Sequence, residues 1–215
     1  MYYYLKNIDV IFFDLDGTLV DIKQRQYQVY VDVLKSLNQK YIQSFEEYWH
    51  FKTSRTNIRT ILEKTDAQSQ LDEFLLIRSK LIEEPYYLEK DVIIKNVVKV
   101  LSELTNHFDI KVLTARKNYE KTVEHLHDLG LLKYFSEVIC CGEKHHILRQ
   151  EKYHDKNLLI VGDTEKEIKA AANVNCKCIS LSTGIRNNQF LLQNNAEIIF
   201  DDIVSLLSSQ KIEQM

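Results

Sequence analysis

Short apolar runs alternate along most of this chain with longer stretches whose apolar residues recur at helical intervals. The runs typical of strands are VIFF (10–13), IKVL (110–113), EVIC (137–140), LLIV (158–161), CKCISL (176–181) and EIIF (197–200). Helical spacing is found between them, at 92–104, 118–130 and 165–174. Continuously apolar strands that alternate with helices are typical of a parallel sheet covered on both faces. The pattern therefore predicts an α/β fold with a doubly wound parallel sheet.

One long stretch breaks this alternation. From about residue 21 to residue 84 the apolar spacing is helical throughout, as in QYQVYVDVLKSL, and no run is typical of a strand. The stretch ends at Pro85, the only proline of the chain, where a helix is expected to stop. We therefore predict a Rossmann-like core formed by residues 1–20 and 88–215, with an α-helical cap domain inserted at 21–87.

Composition favours a small-molecule partner. A chain of 215 residues that is 45% hydrophobic can bury the core of a domain that carries a smaller insertion. The net charge of −3, with lysines and arginines spread along the chain, gives no basic face for nucleic acid. No apolar run approaches the roughly 18 to 20 residues that span a bilayer. We expect a cytoplasmic protein, a monomer or homodimer, that binds neither nucleic acid nor membrane.

Polar residues follow several predicted strands. Asp14 and Asp16 come directly after VIFF, Thr114 follows KVL, and Asp163 follows LLIVG, with Glu167 in the next helical stretch. The carboxyl ends of parallel strands meet at one edge of the sheet, where open α/β sheets place their binding sites. We therefore expect these side chains to lie close together. Asp163 also has the alternative role of capping the helix that follows it.

Clustered carboxylates need a cation, because each raises the pKa of the others unless a positive charge holds them ionised. A hard divalent ion such as Mg²⁺ meets this need with oxygen ligands. When a metal ion and a lysine offset the negative charge, one carboxylate can attack a phosphate ester. A second carboxylate two residues away can protonate the leaving alkoxide and then activate water. The spacing of the carboxylates is therefore suited to phosphoryl transfer.

Four segments together resemble a known family. FDLDGT, the threonine of VLTAR, a later lysine and IVGDTEKEI are similar, in this order, to the four motifs of the haloacid dehalogenase superfamily of phosphohydrolases. The C-terminal stretch STGIRNNQFLLQNNAEIIFDDIVSLL resembles the phosphoglycolate phosphatase-like branch, and the resemblance covers nearly the whole chain. It implies a Mg²⁺-dependent phosphatase that hydrolyses a small phosphomonoester through an aspartyl-phosphate intermediate.

The resemblance also implies a role for each matched residue. Asp14 would be the nucleophile and Asp16 the general acid/base. The Mg²⁺ ligands would be the carboxylates of Asp14 and Asp163 and the backbone carbonyl of Asp16. The groups expected to bind the transferring phosphoryl group are Thr114, Ala115, Gly17 and a lysine.

Two positions depart from the family's motifs. The usual lysine-proline signature is absent, so the lysine is either Lys144, which we prefer because it follows EVIC by a short loop, or Lys152, which lies closer to the next strand. Glu167 stands where the family often has an aspartate. It either reaches the metal through water or is a surface residue in the first turn of a helix, where acids are favoured.

Three arginines are candidates for substrate contact. Arg116 lies just beyond Thr114 and either contacts a substrate anion or sits at an exposed helix start. Arg55 and Arg59 are four residues apart in the predicted cap, so we expect them to share a helix face that points at the active site or at water.

Two other functions would use the same fold. A phosphomutase or phosphonatase would use the same aspartyl nucleophile with different cap residues. A catalytically silent binding or regulatory relative is expected to have lost Asp14 or Asp16, and this chain has both. The physiological substrate stays undefined by these motifs, because the cap rather than the core determines selectivity.

Overall fold

A computed structural model describes residues 2–40 and 42–210, apart from the side chain of Asp66. Its strands are β1 (Val10–Phe13), β2 (Val20–Asp21), β3 (Val92–Ile93), β4 (Asp109–Thr114), β5 (Glu137–Cys140), β6 (Leu158–Gly162), β7 (Lys177–Leu181) and β8 (Ile199–Phe200). Six of them form one parallel sheet in the order β5-β4-β1-β6-β7-β8. The predicted doubly wound α/β fold is confirmed.

The strand order places β1 at the centre of the sheet. The chain runs from β1 to β4 and β5 on one side and then returns to β6, β7 and β8 on the other. All four residues of β1 are buried, as its uninterrupted apolar sequence predicts. A sheet whose winding direction reverses beside a central strand has a crevice at the carboxyl end of that strand. Asp14 directly follows β1 and is therefore placed at this point.

The helices are α1 (Lys23–Ser36), α2 (Phe45–Thr53), α3 (Ile58–Leu62), α4 (Leu71–Leu81), α5 (Pro85–Leu88), α6 (Val97–Leu104), α7 (Tyr119–Asp128), α8 (Lys144–Leu148), α9 (Glu165–Val174) and α10 (Asn188–Gln193). Short 3₁₀ helices lie at Tyr3–Leu5, Asp66–Gln70, Leu132–Tyr134, Glu151–Tyr153 and Ile203–Leu207. Among the described residues, no helix combines the length and the apolar character needed to cross a membrane.

The start of the predicted helix at 92–104 differs from the structure. Val92 and Ile93 form β3, and the helix begins only at Val97. Asn96 adopts a left-handed conformation with a φ of 68°, which prevents the helix from extending towards the N-terminus. From Val97 onward, Val97, Val100, Leu101 and Leu104 form one buried face, as the spacing predicts, whereas Val98 is exposed.

Two helices fix one face of the sheet beneath the site. Phe12 of β1 and Ile160 of β6 pack in one buried cluster with Leu148 of α8 and with Ala170 and Ala171 of α9. The small alanine side chains let α9 approach the sheet closely. This packing fixes the helices whose first turns carry Lys144 and Glu167.

The chain divides into two compact units, one formed by Met1–Val20 with Ile93–Met215 and the other by Asp21–Val92. The chain passes between them in β2 and β3, which pair with each other as a separate two-stranded sheet. The second crossing lies beyond the expected boundary at 87/88, because α5 packs on α1 and the hydroxyl of Tyr87 donates to Asp32 at 3.1 Å.

The unit Asp21–Val92 is helical and has its own core. The rings of Tyr30 and Tyr48 stack with centroids 4.5 Å apart, and Phe74 is fully buried beside them. A buried ion pair joins the two ends of the unit, because Nε of Arg25 donates to Asp91 at 2.9 Å.

Candidate active site

The loop that begins at Asp14 is held by the central strand β1 and by its neighbour β6. The backbone N–H of Asp14 donates to the carbonyl of Val161 in β6 at 2.9 Å, which continues the sheet pairing past the end of β1. Three residues later, Gly17 has a φ of 90°, a conformation that glycine adopts without strain. The chain therefore turns sharply directly after Asp14 and Asp16, and both carboxylates are presented at the sheet edge.

Asp163 meets this loop from the end of β6. The hydroxyl of Thr18 donates to its Oδ1 at 3.1 Å, and the backbone N–H of Ile185 donates to its Oδ2 at 2.6 Å. A Cβ atom at either Gly17 or Gly184 would lie 2.2 Å from Oδ2 of Asp163. The two glycines therefore make the space that the Asp163 carboxylate occupies.

Lys144, the first residue of α8, joins the carboxylates. Its Nζ donates to Oδ1 of Asp14 at 2.6 Å and also contacts Oε1 of Glu167. Lys152 lies elsewhere, in a 3₁₀ helix, and its Nζ pairs with Glu137 at 3.2 Å. Of the two candidate lysines, the structure brings Lys144 to Asp14.

Glu167 is buried in the first turn of α9. Its Oε2 accepts hydrogen bonds from the backbone N–H of Thr164 at 3.2 Å and from the Thr164 hydroxyl at 2.5 Å. Thr164 is therefore the N-cap of α9, and Asp163 does not have that role. The interpretation of Glu167 as a surface residue is wrong, because its side chain both caps the helix and contacts Lys144.

The site carries more negative than positive charge. Carboxylate oxygens of Asp14, Asp163 and Glu167 lie within 4.8 Å of one another, and Lys144 is the cation that contacts two of them. Burial raises the pKa of Asp14 to about 6 against the opposing effect of Lys144, and burial with the neighbouring carboxylates raises the pKa of Asp163 well above its ordinary value. Burial lowers the pKa of Lys144, but Asp14 and Glu167 outweigh it and raise that pKa overall.

Three carboxylates against one ammonium leave a formal charge of −2 in a buried group. Clustered, desolvated carboxylates of this kind are stabilised in their ionised form by a divalent cation. The donors are all oxygens apart from Lys144, and oxygen donors are the set that Mg²⁺ prefers. The residues present therefore fit such an ion.

Thr114 and Ala115 lie at the end of β4, beside β1. The Thr114 side chain is buried, and its hydroxyl accepts a hydrogen bond from the backbone N–H of Arg116 at 3.3 Å. Ala115 is half-buried between them. This strand end is therefore held both by the Thr114 hydroxyl and by β5, because the backbone N–H of Cys141 donates to the carbonyl of Thr114 at 2.8 Å.

Arg116 is buried against Asp16. Its Nη2 donates to Oδ1 of Asp16 at 2.6 Å, and its Nη1 lies 2.9 Å from Nδ1 of His125 in α7. The interpretation of Arg116 as an exposed helix start is wrong, because only 5% of the residue is exposed.

Arg55 and Arg59 do not share a helix face. Helix α2 ends at Thr53, and Arg55 lies in the following turn with a φ of 54°. Arg59 belongs to α3, which starts after the N-cap Asn57. The prediction is wrong because the intervening polar residues end one helix and cap the next. Both arginines are exposed within the unit Asp21–Val92.

Three residues that contact the site, Thr18, Ile185 and His125, are not among the predicted site residues. Thr18 belongs to the quoted FDLDGT motif but was assigned no role, and Ile185 follows the predicted strand 176–181. Binding sites of parallel sheets lie at the carboxyl ends of the strands, and the same expectation for the strand 176–181 indicates the loop at Gly184. His125 has no comparable signal, because only the folded path of α7 brings it to Arg116.

Fold and site together define an α/β enzyme with a buried acidic centre at the end of its central strand. Residues 11–181 match the family model of the haloacid dehalogenase-like hydrolases, and the chain belongs to that family.

Individual relatives match nearly the whole chain. The phosphoglycolate phosphatase of Vibrio parahaemolyticus is 22% identical over 94% of this chain and 96% of its own length. The phosphoglycolate phosphatase of Vibrio cholerae is 22% identical over 94% of this chain and 97% of its own. A haloacid dehalogenase-like family hydrolase from Streptococcus pneumoniae has the same fold, with a TM-score of 0.78 at 18% identity over 94% of this chain and 97% of that chain. The predicted family and the resemblance to its phosphoglycolate phosphatase-like branch are confirmed.

Proposed function

We propose that this enzyme is a Mg²⁺-dependent phosphatase that hydrolyses a small phosphomonoester through a phosphorylated Asp14. The observation that carries the proposal is the position of the Asp14 carboxylate. It lies at the end of the central strand, 2.6 Å from the ammonium of Lys144 and beside the carboxylate of Asp163. The similarity to two phosphoglycolate phosphatases supports the same class of substrate.

The acidic group supports a Mg²⁺ site. Asp14 and Asp163 would hold the ion with their carboxylates, together with the backbone carbonyl of Asp16. When bound, Mg²⁺ supplies positive charge that offsets the charge of the phosphoryl group. Glu167 shares its oxygens between Thr164 and Lys144, which favours an action through Lys144 over direct ligation.

The chain's own residues can complete both halves of the reaction. Asp14 attacks phosphorus while Asp16 gives its proton to the departing alkoxide, so that the P–O bond to the leaving group breaks as the bond to Asp14 forms. Asp16 then takes a proton from water as the water oxygen attacks phosphorus, and the P–O bond to Asp14 breaks, which restores the carboxylate and releases inorganic phosphate. Lys144, which stays protonated, offsets charge on the phosphoryl oxygens throughout. Thr114 and the backbone amides of Gly17 and Ala115 would bind those oxygens.

We also propose that the unit Asp21–Val92 is the substrate-selecting cap. Two observations support this role: the unit is an inserted helical unit with its own core, and the chain enters it shortly after the loop that contains Asp14 and Asp16. A cytoplasmic location and a monomeric or homodimeric state stay predictions.

The test is to trap the phosphorylated protein. The enzyme is mixed with an ester that is radiolabelled in its phosphoryl group, quenched in acid, and digested for peptide mapping. We expect the label on the peptide that contains Asp14. Asp14→Asn should carry no label and should lose about 10³-fold or more in kcat.

Asp9→Asn is the matched control, because Asp9 precedes the same strand but bonds to Asn157 instead of the acidic group. It should label like the wild type. Turnover of Asp14→Asn at a rate close to that of the wild type would overturn the assignment. A screen of phosphorylated metabolites with Mg²⁺ would then identify the substrate.

A further inference from the structure

We propose that Arg116 is a positioning residue that fixes the carboxylate of Asp16 for proton transfer, and that His125 holds Arg116 in place. The inference rests on the proposed function, because it concerns Asp16 as the group that protonates the leaving oxygen. It assigns to Arg116 a role through Asp16 in place of a contact with the substrate.

The guanidinium distinguishes the two oxygens of Asp16. Oδ1 accepts hydrogen bonds from Nε at 3.1 Å and from Nη2 at 2.6 Å, whereas Oδ2 is contacted by Nε at 3.3 Å. These charge-assisted contacts hold the Asp16 carboxylate in one orientation.

Burial differs between the two partners. The Arg116 side chain is 3% exposed, but that of Asp16 is 23% exposed. The guanidinium therefore supports Asp16 from the protein side, while Asp16 keeps an accessible face. This is the arrangement expected of a group that must exchange a proton with a substrate oxygen or with water.

His125 restrains the other end of the guanidinium. Nη1 of Arg116 lies 2.9 Å from Nδ1 of His125, and a guanidinium can only donate. Nδ1 is therefore the accepting nitrogen, which places the proton of the neutral ring on Nε2. The backbone N–H of Arg116 is also tied to the hydroxyl of Thr114 at 3.3 Å. Contacts at the backbone and on both sides of the guanidinium oppose any move of Arg116 towards a substrate.

Breaking a buried ion pair leaves an uncompensated charge, which is costly. Arg116 is consequently better suited to remain on Asp16 than to exchange it for a substrate anion. Its effect on catalysis should then depend on how much the leaving group needs a proton.

The test compares two esters. The alkoxide of glycerol 3-phosphate needs a proton in order to leave, whereas p-nitrophenolate leaves without one. We expect Arg116→Met to lower kcat/KM by about 10²-fold or more for glycerol 3-phosphate and by less than about tenfold for p-nitrophenyl phosphate. The ratio kcat/KM includes no step after departure of the leaving group, so the later activation of water does not affect the comparison. Arg116→Lys keeps the charge but not the two donors on Oδ1, and should recover only part of the loss.

A second arm uses Asp16→Asn. If Arg116 acts through Asp16, Arg116→Met should lower kcat/KM little further when Asp16 is already asparagine. Arg149→Met is the matched control, because this exposed arginine bonds to the backbone carbonyl of Asn173, and it should leave both esters unaffected. His125→Leu should reproduce the leaving-group dependence more weakly, and it serves as the test variant if Arg116→Met does not fold.

Equal losses on both esters, or an undiminished loss in the Asp16→Asn background, would overturn the role of Arg116 alone. A wild-type protein that hydrolyses neither ester nor any phosphorylated metabolite would overturn the proposed function and this inference with it.

Discussion

The ammonium of Lys144 lies 2.6 Å from Oδ1 of Asp14, although the two residues are 130 positions apart in the chain. Both side chains are buried, and the same ammonium contacts Glu167. A single cation thus connects the end of β1 with the first turns of α8 and α9. Losing it would leave its carboxylate partners without their shared positive charge.

This contact predicts unequal effects for the two candidate lysines. We expect Lys144→Met to lower kcat by about 10²-fold or more, because charge on the phosphoryl oxygens is no longer offset as the transition state forms. Lys152→Met removes an exposed pair with Glu137 and should leave kcat close to that of the wild type. Steady-state kinetics of both variants with the same ester provide the measurement, and a crippled Lys152→Met beside an active Lys144→Met would reverse the assignment.

The acidic group predicts a dependence on metal. Excess chelator should stop turnover, Mg²⁺ should restore it, and Ca²⁺ should inhibit, because its larger and looser coordination shell misplaces the nucleophile. Mg²⁺ should also raise the melting temperature of the wild type, since binding only to the folded state stabilises it. Asp163→Asn should lose most of this shift, whereas Asp9→Asn should keep it. Full turnover in excess chelator would rule out the metal.

The close approach of Gly184 to Asp163 predicts a large effect from one methyl group. In Gly184→Ala the new Cβ would lie 2.2 Å from Oδ2 of Asp163, so the carboxylate must move. We expect a higher Mg²⁺ concentration for half-maximal activity, a lower kcat, and a loss of about 1 to 3 kcal/mol in the free energy of unfolding. Gly142→Ala is the matched control, because no atom lies within 4 Å of a Cβ there. Indistinguishable metal titrations for the two variants would contradict the role of the Gly184 site.

The proposed cap predicts effects on selectivity. If Arg55 or Arg59 contacts the substrate, its change to alanine should raise KM for the best natural substrate by about tenfold, the worth of one hydrogen bond to a charged group. The KM for p-nitrophenyl phosphate should change much less. Because the two arginines lie in a turn and in a separate helix, their effects should be measured singly. Lys80→Ala, in α4 of the same unit, is the control, and equal effects on both esters would remove these arginines from substrate selection.

The sequence was most informative where one local property decides the structure. The apolar run before Asp14 predicts a buried strand, and β1 has the expected bounds. Helix α9 also begins and ends where its spacing predicts, because a complete capping box starts it and Asn175, in a left-handed conformation, ends it. Carboxylates after buried strands were sufficient to find Asp14, Asp16 and Asp163.

The sequence was less informative where contacts between distant segments of the chain determine the environment of a residue. Glu167 is buried because Lys144 reaches it from another helix, and a first-turn acid shows no sign of such a partner in its own neighbourhood. The position of Arg116 is typical of a helix start, but the fold brings His125 from α7 and Asp16 from the loop after β1 to either side of its guanidinium. The helical spacing of Arg55 and Arg59 was misleading, because the polar residues between them favour helix ends.

The pairing of β2 with β3 has a consequence for the architecture. Paired strands lie only about 4.8 Å apart, so the helical unit leaves and re-enters the core at neighbouring points. For the core, the whole insertion is equivalent to one closed loop, and the entropy of closing a loop rises only slowly with its length. The core can therefore accept insertions of very different size at this junction. Under the proposed function, replacing the insertion with another would change the substrate while the residues proposed for phosphoryl transfer stay in place.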